Sequence, residues 1–207
     1  MRVRRGLMED SELILKFLDG DVQAFNVLVN RWQVKLFNFA FKVLGRREDA
    51  KDVTQKAFIR TYKSLRKLKD PAKFSPWIYQ ITMNLCRDEM RIQRRSPSLS
   101  LHDTIRTSNG EEIELQEFLT DDSESADDAL YQGEVAEIIR KGLKMIPEEQ
   151  RIVIIMKEYQ GLKFREISEI LQEPLNTVKS RMYYGLNALR KALSSLEIDK
   201  EVFQYEL

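Results

Sequence analysis

Two clusters of side chains in this sequence have the types and the spacing to grip a polyanion. Asn84, Arg87, Arg91, Arg94 and Arg95 fall at i, i+3, i+7, i+10 and i+11, so a helix through them would carry all five on one face. Guanidinium groups bind phosphate bidentately, and an asparagine amide offers both a donor and an acceptor to a base edge. The second cluster is Thr177, Lys179, Ser180, Arg181, Tyr183 and Tyr184. Phe74, Trp77 and Tyr79 flank the first cluster and have rings able to stack on unpaired bases, but aromatics at helical spacing more often pack a core, the reading preferred for Trp77.

Catalytic and metal chemistry find little support. One cysteine, Cys86, and one histidine, His102, allow no internal disulfide and no Cys/His cluster with metal-ligand spacing. Cys86 lies in an apolar periodic stretch and reads as packing. The Asp121-Asp122 pair sits in an acidic run without histidine partners and reads as solvated charge. The expectation is a binding protein without a cofactor, not an enzyme.

The elements that must position the two clusters follow from apolar periodicity. A short helix is expected over Ser11 to Asp19, before Gly20. Phe25, Leu28, Trp32, Leu36, Phe39 and Val43 step by three and four along a longer one ended by Gly45. Ala50, Val53, Ala57, Tyr62 and Leu65 mark a third, broken at Asp70-Pro71. Ser75-Pro76 supplies an N-cap and a first-turn proline for a fourth helix to about Arg95, with Ile78, Ile81, Leu85 and Ile92 inward. Residues 96–128 hold no sustained period and many Ser, Asp and Glu, as a linker does. Periodicity resumes near Leu130, and Pro147-Glu148-Glu149 opens a helix closed by Gly161. Phe164, Ile167, Ile170 and Leu171 then form a short helix and Gln172-Glu173-Pro174 a turn. Val178, Met182, Leu186, Leu189 and Leu193 form the inward stripe of a second helix. That is a helix-turn-helix pattern with Thr177 to Tyr184 where a recognition helix meets DNA; the plainer alternative is a helical hairpin. The fold class is all-α, with two helical domains.

Charge is segregated along the chain although its net value is only +1. Residues 1–95 carry 21 Lys/Arg against 11 Asp/Glu, and residues 96–137 carry 1 against 12. Two basic blocks around an acidic one suit two surfaces facing a polyanion and a connector that avoids it. The linker carboxylates Asp121, Asp122, Glu124, Asp127 and Asp128 are expected to lie against the basic faces when DNA is absent. No run approaches the ~18 apolar residues of a membrane span, and the basic start leads into no apolar signal core, so a cytoplasmic protein is expected.

Several spaced motifs together carry a resemblance. Asp52-Val-Thr-Gln55-Lys-Ala-Phe58, Phe74-Ser-Pro-Trp77-Ile-Tyr-Gln-Ile-Thr-Met-Asn84, Pro147-Glu-Glu-Gln-Arg151, Gly161-Leu-Lys-Phe-Arg-Glu-Ile-Ser168 and Asn176-Thr-Val-Lys-Ser-Arg181 resemble the extracytoplasmic-function sigma factors of the sigma-E-like branch. The resemblance implies sigma region 2 over 1–95, a linker over 96–128, region 4 over 129–196 and a tail over 197–207. It implies that Asp52 and Gln55 dock on the clamp helices of the polymerase beta-prime subunit and that region 4 meets the beta flap. It also implies that Asn84 reads a flipped base of the minus-ten promoter element in a pocket shaped by residues 68–74. It implies further that Lys179, Ser180, Arg181 and Tyr183 occupy positions that contact the minus-thirty-five element. An anti-sigma partner is implied as well. The chain departs from the pattern at Lys56, where an acid is common, at Tyr184, commonly basic, and at Gly185-Leu186, commonly Ala-Arg. A two-domain transcription factor of the response-regulator kind would also end in a helix-turn-helix, but its first domain would not be basic and helical.

Overall fold

A computed structural model of the chain describes residues 8–95 and 126–196. Four helices form a first group: α1 (Asp10–Leu18), α2 (Val22–Leu44), α3 (Arg47–Ser64) and α4 (Phe74–Arg95). A second group comprises α5 (Ala126–Met145), α6 (Glu148–Ile154), α7 (Phe164–Leu171) and α8 (Leu175–Ser195). No strand occurs among the described residues. The Asp121, Asp122 and Glu124 carboxylates expected to shield the basic faces lie outside them, as does His102.

The first group is organised around aromatic packing. α2 starts where Asp21 accepts the Gln23 amide and stops at Gly45, whose φ of 76° ends the helix in a left-handed turn. Leu28, Trp32, Leu36 and Phe39 are buried along it. Trp32 meets Phe74 and Tyr79 edge-on, at 5.6 and 5.7 Å between ring centroids, and its indole donates to Asp10 Oδ2 at 2.9 Å. Asp10 also accepts from Arg31, which ties α1 to α2 through a shared carboxylate. Trp77 is only partly buried, packed against this core.

The fourth helix begins differently from the sequence expectation. Ser75 does not cap it; Asp70 accepts the Ala72 amide and opens a 3-10 turn, Pro71–Lys73, that runs into α4 at Phe74. Pro76 still falls in the first helical turn, where its missing N–H costs nothing. Ile78 and Leu85 are buried as expected and Ile81 is partly so, but Ile92, also expected inward, is exposed because the core ends at Met90. Tyr62 is likewise half exposed, packing one ring edge on Phe17 and Phe25.

In the second group α8 is the spine. Leu186, also expected inward, is exposed; the buried position is Gly185, where a Cβ would stand 3.0 Å from Ile154 Cδ1 and 3.1 Å from Gln150 Cβ. The glycine lets α6 and α8 approach more closely than any side chain permits. Between α6 and α7 the chain makes a π-helical turn, Ile155–Tyr159, before Gly161 at φ 64°. A turn of that kind leaves no mark in 3.6-residue periodicity. α5 starts at Ala126, four residues before the periodicity becomes visible in the sequence.

The two groups touch. Tyr79 O–H of α4 donates to Gln160 Oε1 at 2.7 Å, and the Lys42 ammonium lies 4.0 Å from the Tyr159 ring centroid. Lys73 pairs with Glu169 at 3.7 Å, and Arg94 pairs with Glu148.

Candidate nucleic-acid and polymerase interfaces

The basic face of α4 forms as the spacing requires. Asn84 and Arg87 are exposed on it, opposite the buried Ile78, Thr82 and Cys86. Arg91 is exposed and holds Asp88 at 3.1 Å, while Arg94 is exposed and bound to Glu148. Arg95 is the last residue of α4, and its side chain lies outside the described set. Burial raises the Tyr79 phenol from its ordinary 10.0 to about 12, so at neutral pH it is a neutral donor to Gln160.

One turn before Asn84 the same helix borders a cavity of about 270 Å³. Lys67, Lys69, Lys73, Trp77 and Gln80 line it from the first group, with Glu169 and Ile170 from α7. Trp77, Gln80 and Asn84 stand at i, i+3 and i+7 and therefore share a side of α4. Asn84 is not itself in the cavity wall. Gln80 and the three lysines were not singled out from the sequence; the readable signal was the regular spacing of Trp77 and Gln80 ahead of Asn84.

On α8 the chemistry divides between exposed and engaged groups. Lys179 and Ser180 are exposed, Thr177 is half-buried, and Tyr183 and Tyr184 are 66% and 61% exposed with their rings 5.5 Å apart. Ser180 O–H donates back to Asn176 O at 2.8 Å, which leaves its lone pairs outward. Arg181 differs: its side chain is only 19% exposed, and Nη2 lies 2.9 Å from Glu149 Oε2 and 3.2 Å from Glu173 Oε1. It joins the start of α6 and the α7–α8 turn to α8. That turn contains Gln172 in the left-handed region at φ 57°, uncommon for a side-chain-bearing residue, with the Glu173 carbonyl accepting from Ser168 at 2.5 Å.

A third surface lies on α3. Asp52 and Gln55 are exposed one turn apart, above the buried Val53, Thr54, Ala57 and Phe58. Lys56 holds the Asp52 carboxylate at 2.5 Å. Ile59, at i+7 from Asp52, is an exposed apolar residue on the same side, which the sequence reading passed over.

No group of three or more His, Cys, Asp or Glu able to hold a metal ion occurs among the described residues. Cys86 is buried, and burial, with the Glu89 charge second, pushes its thiol to about 12. Among the described residues no helix is long and apolar enough to cross a membrane.

Two helical groups, one with an exposed Asn/Arg face beside a cavity lined by Trp77 and three lysines and one with a helix-turn-helix, are the architecture of a helical DNA-binding protein. Comparison with known proteins makes this specific. Sigma-70 region 2 matches residues 28–96, and Sigma-70, region 4 matches residues 136–189. The ECF RNA polymerase sigma factor SigW of Bacillus subtilis is 33% identical, over 86% of this chain and 92% of its own. The RNA polymerase sigma-H factor of Pseudomonas aeruginosa and the sigma-E factor of Escherichia coli K12 are each 28% identical over 91% of this chain and 95% and 96% of theirs. The chain belongs to the ECF sigma factors of bacterial RNA polymerase. Its fold is shared with CnrH, solved with the cytosolic domain of CnrY, at a TM-score of 0.63 and 21% identity over 90% of this chain and 97% of that one. It is shared also with RpoE of Bartonella quintana, solved with the anti-sigma factor NepR, at 0.60 and 18% over 86% and 100%.

Proposed function

We propose that this sigma factor binds core polymerase through the Asp52 and Gln55 face of α3 and reads promoters with two surfaces. In this reading residues 1–95 act as region 2, 96–128 as the connector, 129–196 as region 4 and 197–207 as a tail. The observation that carries it is the separation of roles in space: an exposed carboxylate and amide on α3, an exposed Asn84 and Arg87 beside the Trp77 cavity on α4, and Lys179, Ser180, Tyr183 and Tyr184 free on α8. Asn84 takes a minus-ten base, while Arg87, Arg91, Arg94 and Arg95 hold phosphates around it. Thr177, Lys179, Ser180, Tyr183 and Tyr184 meet the minus-thirty-five duplex. Arg181 serves the same duplex chiefly by fixing the turn that presents α8, since both of its carboxylate partners already occupy it.

The protein itself carries out no covalent chemistry in this reading; it works in the cytoplasm, with a beta-flap contact from region 4 and no cofactor. Two proteins sharing its fold were solved in complex, one with an anti-sigma factor and one with the cytosolic domain of CnrY, which supports control by an anti-sigma partner. Run-off transcription with core polymerase tests the proposal. Promoter-dependent transcripts that vanish when Asp52 and Gln55 are both replaced by alanine are expected; transcripts unaffected by that pair of substitutions would refute the docking assignment.

A further inference from the structure

α1 contributes no residue to the wall of the Trp77 cavity, yet it braces that wall in two ways. It packs directly on the Pro71–Lys73 turn, from which Lys73 lines the cavity. Its first residue, Asp10, also uses both carboxylate oxygens on neighbouring positions of α2: Oδ1 accepts from Arg31 and Oδ2 from the Trp32 indole. A buried tryptophan has a single N–H to satisfy, so the acceptor it finds fixes which way the ring faces. Trp32 stands edge-on to the buried Phe74, with 86° between the ring planes, and Phe74 lies 6.2 Å from the half-buried Trp77 ring. Asp10, Trp32, Phe74 and Trp77 therefore form a continuous line of contacts from the start of α1 to the cavity beside Asn84.

We propose that Asp10 is a positioning residue for promoter opening: through Trp32 and Phe74 it holds Trp77 in the orientation in which the cavity beside Asn84 takes an unpaired base of single-stranded DNA. The inference rests on the promoter-reading function above. A close-packed interior transmits a displacement, because its side chains sit in discrete rotamers with few voids between them. Without the carboxylate, the Trp32 N–H is left unpaired in the core, and an unsatisfied buried donor costs more than the bond contributed. The ring then favours orientations that reach another acceptor, and Phe74 and Trp77 shift with it. The incoming base meets a wall that must be ordered at the moment of capture, which raises the barrier to opening. Arg31 supplies the comparison. It shares the Asp10 carboxylate, but its hydrogen bonds run to Asp10 and Met8 O, away from the Trp32 ring contacts that lead to the cavity.

The test measures opening at saturating holoenzyme, assembled from the full chain and core polymerase, on promoters carrying a fluorescent adenine analogue in the minus-ten strand. An abasic scan of the minus-ten element first locates the position at which losing the base slows the wild type; a slowing of about ten-fold, equivalent to about 1.4 kcal/mol, is expected there. Asp10→Ala and Trp32→Phe should each open the intact promoter about as slowly as the wild type opens the abasic one, and should slow by less than about two-fold more when the base is removed. Arg31→Ala should lower the urea midpoint, as Asp10→Ala does, while keeping the wild-type opening rate and the full abasic effect. Circular dichroism checks that each variant is folded. An Asp10 or Trp32 variant that keeps the full abasic effect, or an Arg31→Ala protein that loses it, would overturn the proposal. A wild type indifferent to every abasic position would instead remove the minus-ten reading itself, and this proposal with it.

Discussion

Replacing Arg181 by alanine separates a residue that touches DNA from one that positions the helix doing so. Its guanidinium is mostly enclosed, with one partner, Glu173, itself largely covered and the other, Glu149, mostly exposed. An enclosed charge-assisted hydrogen bond contributes about 1.5 kcal/mol and an exposed ion pair ~0.5. The expected loss is therefore about 2 kcal/mol, roughly a 30-fold rise in the unfolding constant. Urea unfolding measures it directly. In parallel, nonspecific duplex binding by folded protein is followed against salt: Lys179→Ala should shallow the log–log slope by about 0.9 for the lost phosphate contact, and Arg181→Ala should leave it alone. An Arg181→Ala protein of unchanged stability whose slope shallows by about 0.9 would refute the reasoning, since the guanidinium would then have left both carboxylates for a phosphate.

Other expectations follow from the same geometry. Lys56→Glu frees Asp52 from its ion pair and should raise affinity for core polymerase a few-fold in a direct binding assay, an exposed pair contributing about 0.5 kcal/mol. Gly185→Val forces α6 and α8 apart and should destabilise the protein by about 1–3 kcal/mol by urea unfolding. Cys86 and Tyr79 both titrate near 12, above their ordinary 9.0 and 10.0. Their contribution to stability is thus complete below about pH 9 and should fall as pH rises from 9 toward 12, because the unfolded chain loses those protons first. Thermal unfolding across that range checks the sign, and thiol reagents should label Cys86 only at the rate of unfolding. Neutralising Asp121, Asp122, Glu124, Asp127 and Asp128 together should strengthen nonspecific DNA binding at low salt and not at moderate salt if those carboxylates shield the basic faces.

Much was legible in the sequence because it depends on residues near one another along the chain. The 3.6-residue period from Phe25 to Val43, the left-handed stops at Gly45 and Gly161, and the short helix, turn and long helix from Phe164 onward are local consequences of sterics and hydrogen bonding. So is the cationic face of α4, whose side chains need only a helix to align them. Partnership over distance was not legible. Periodicity places Ile92 and Leu186 near an apolar stripe, but where the core ends and which residue meets α6 depend on the packed neighbours, and these chose Met90 and Gly185. Composition places Arg181 beside Lys179 as an equal cation; only the folding of the α6 start and the α7–α8 turn around it brings Glu149 and Glu173 into reach and removes it from solvent. The seam between the two groups is the furthest case. Tyr79 and Gln160 are 81 positions apart, and nothing in either residue's own surroundings along the chain announces that a buried phenol will find its acceptor in the other domain.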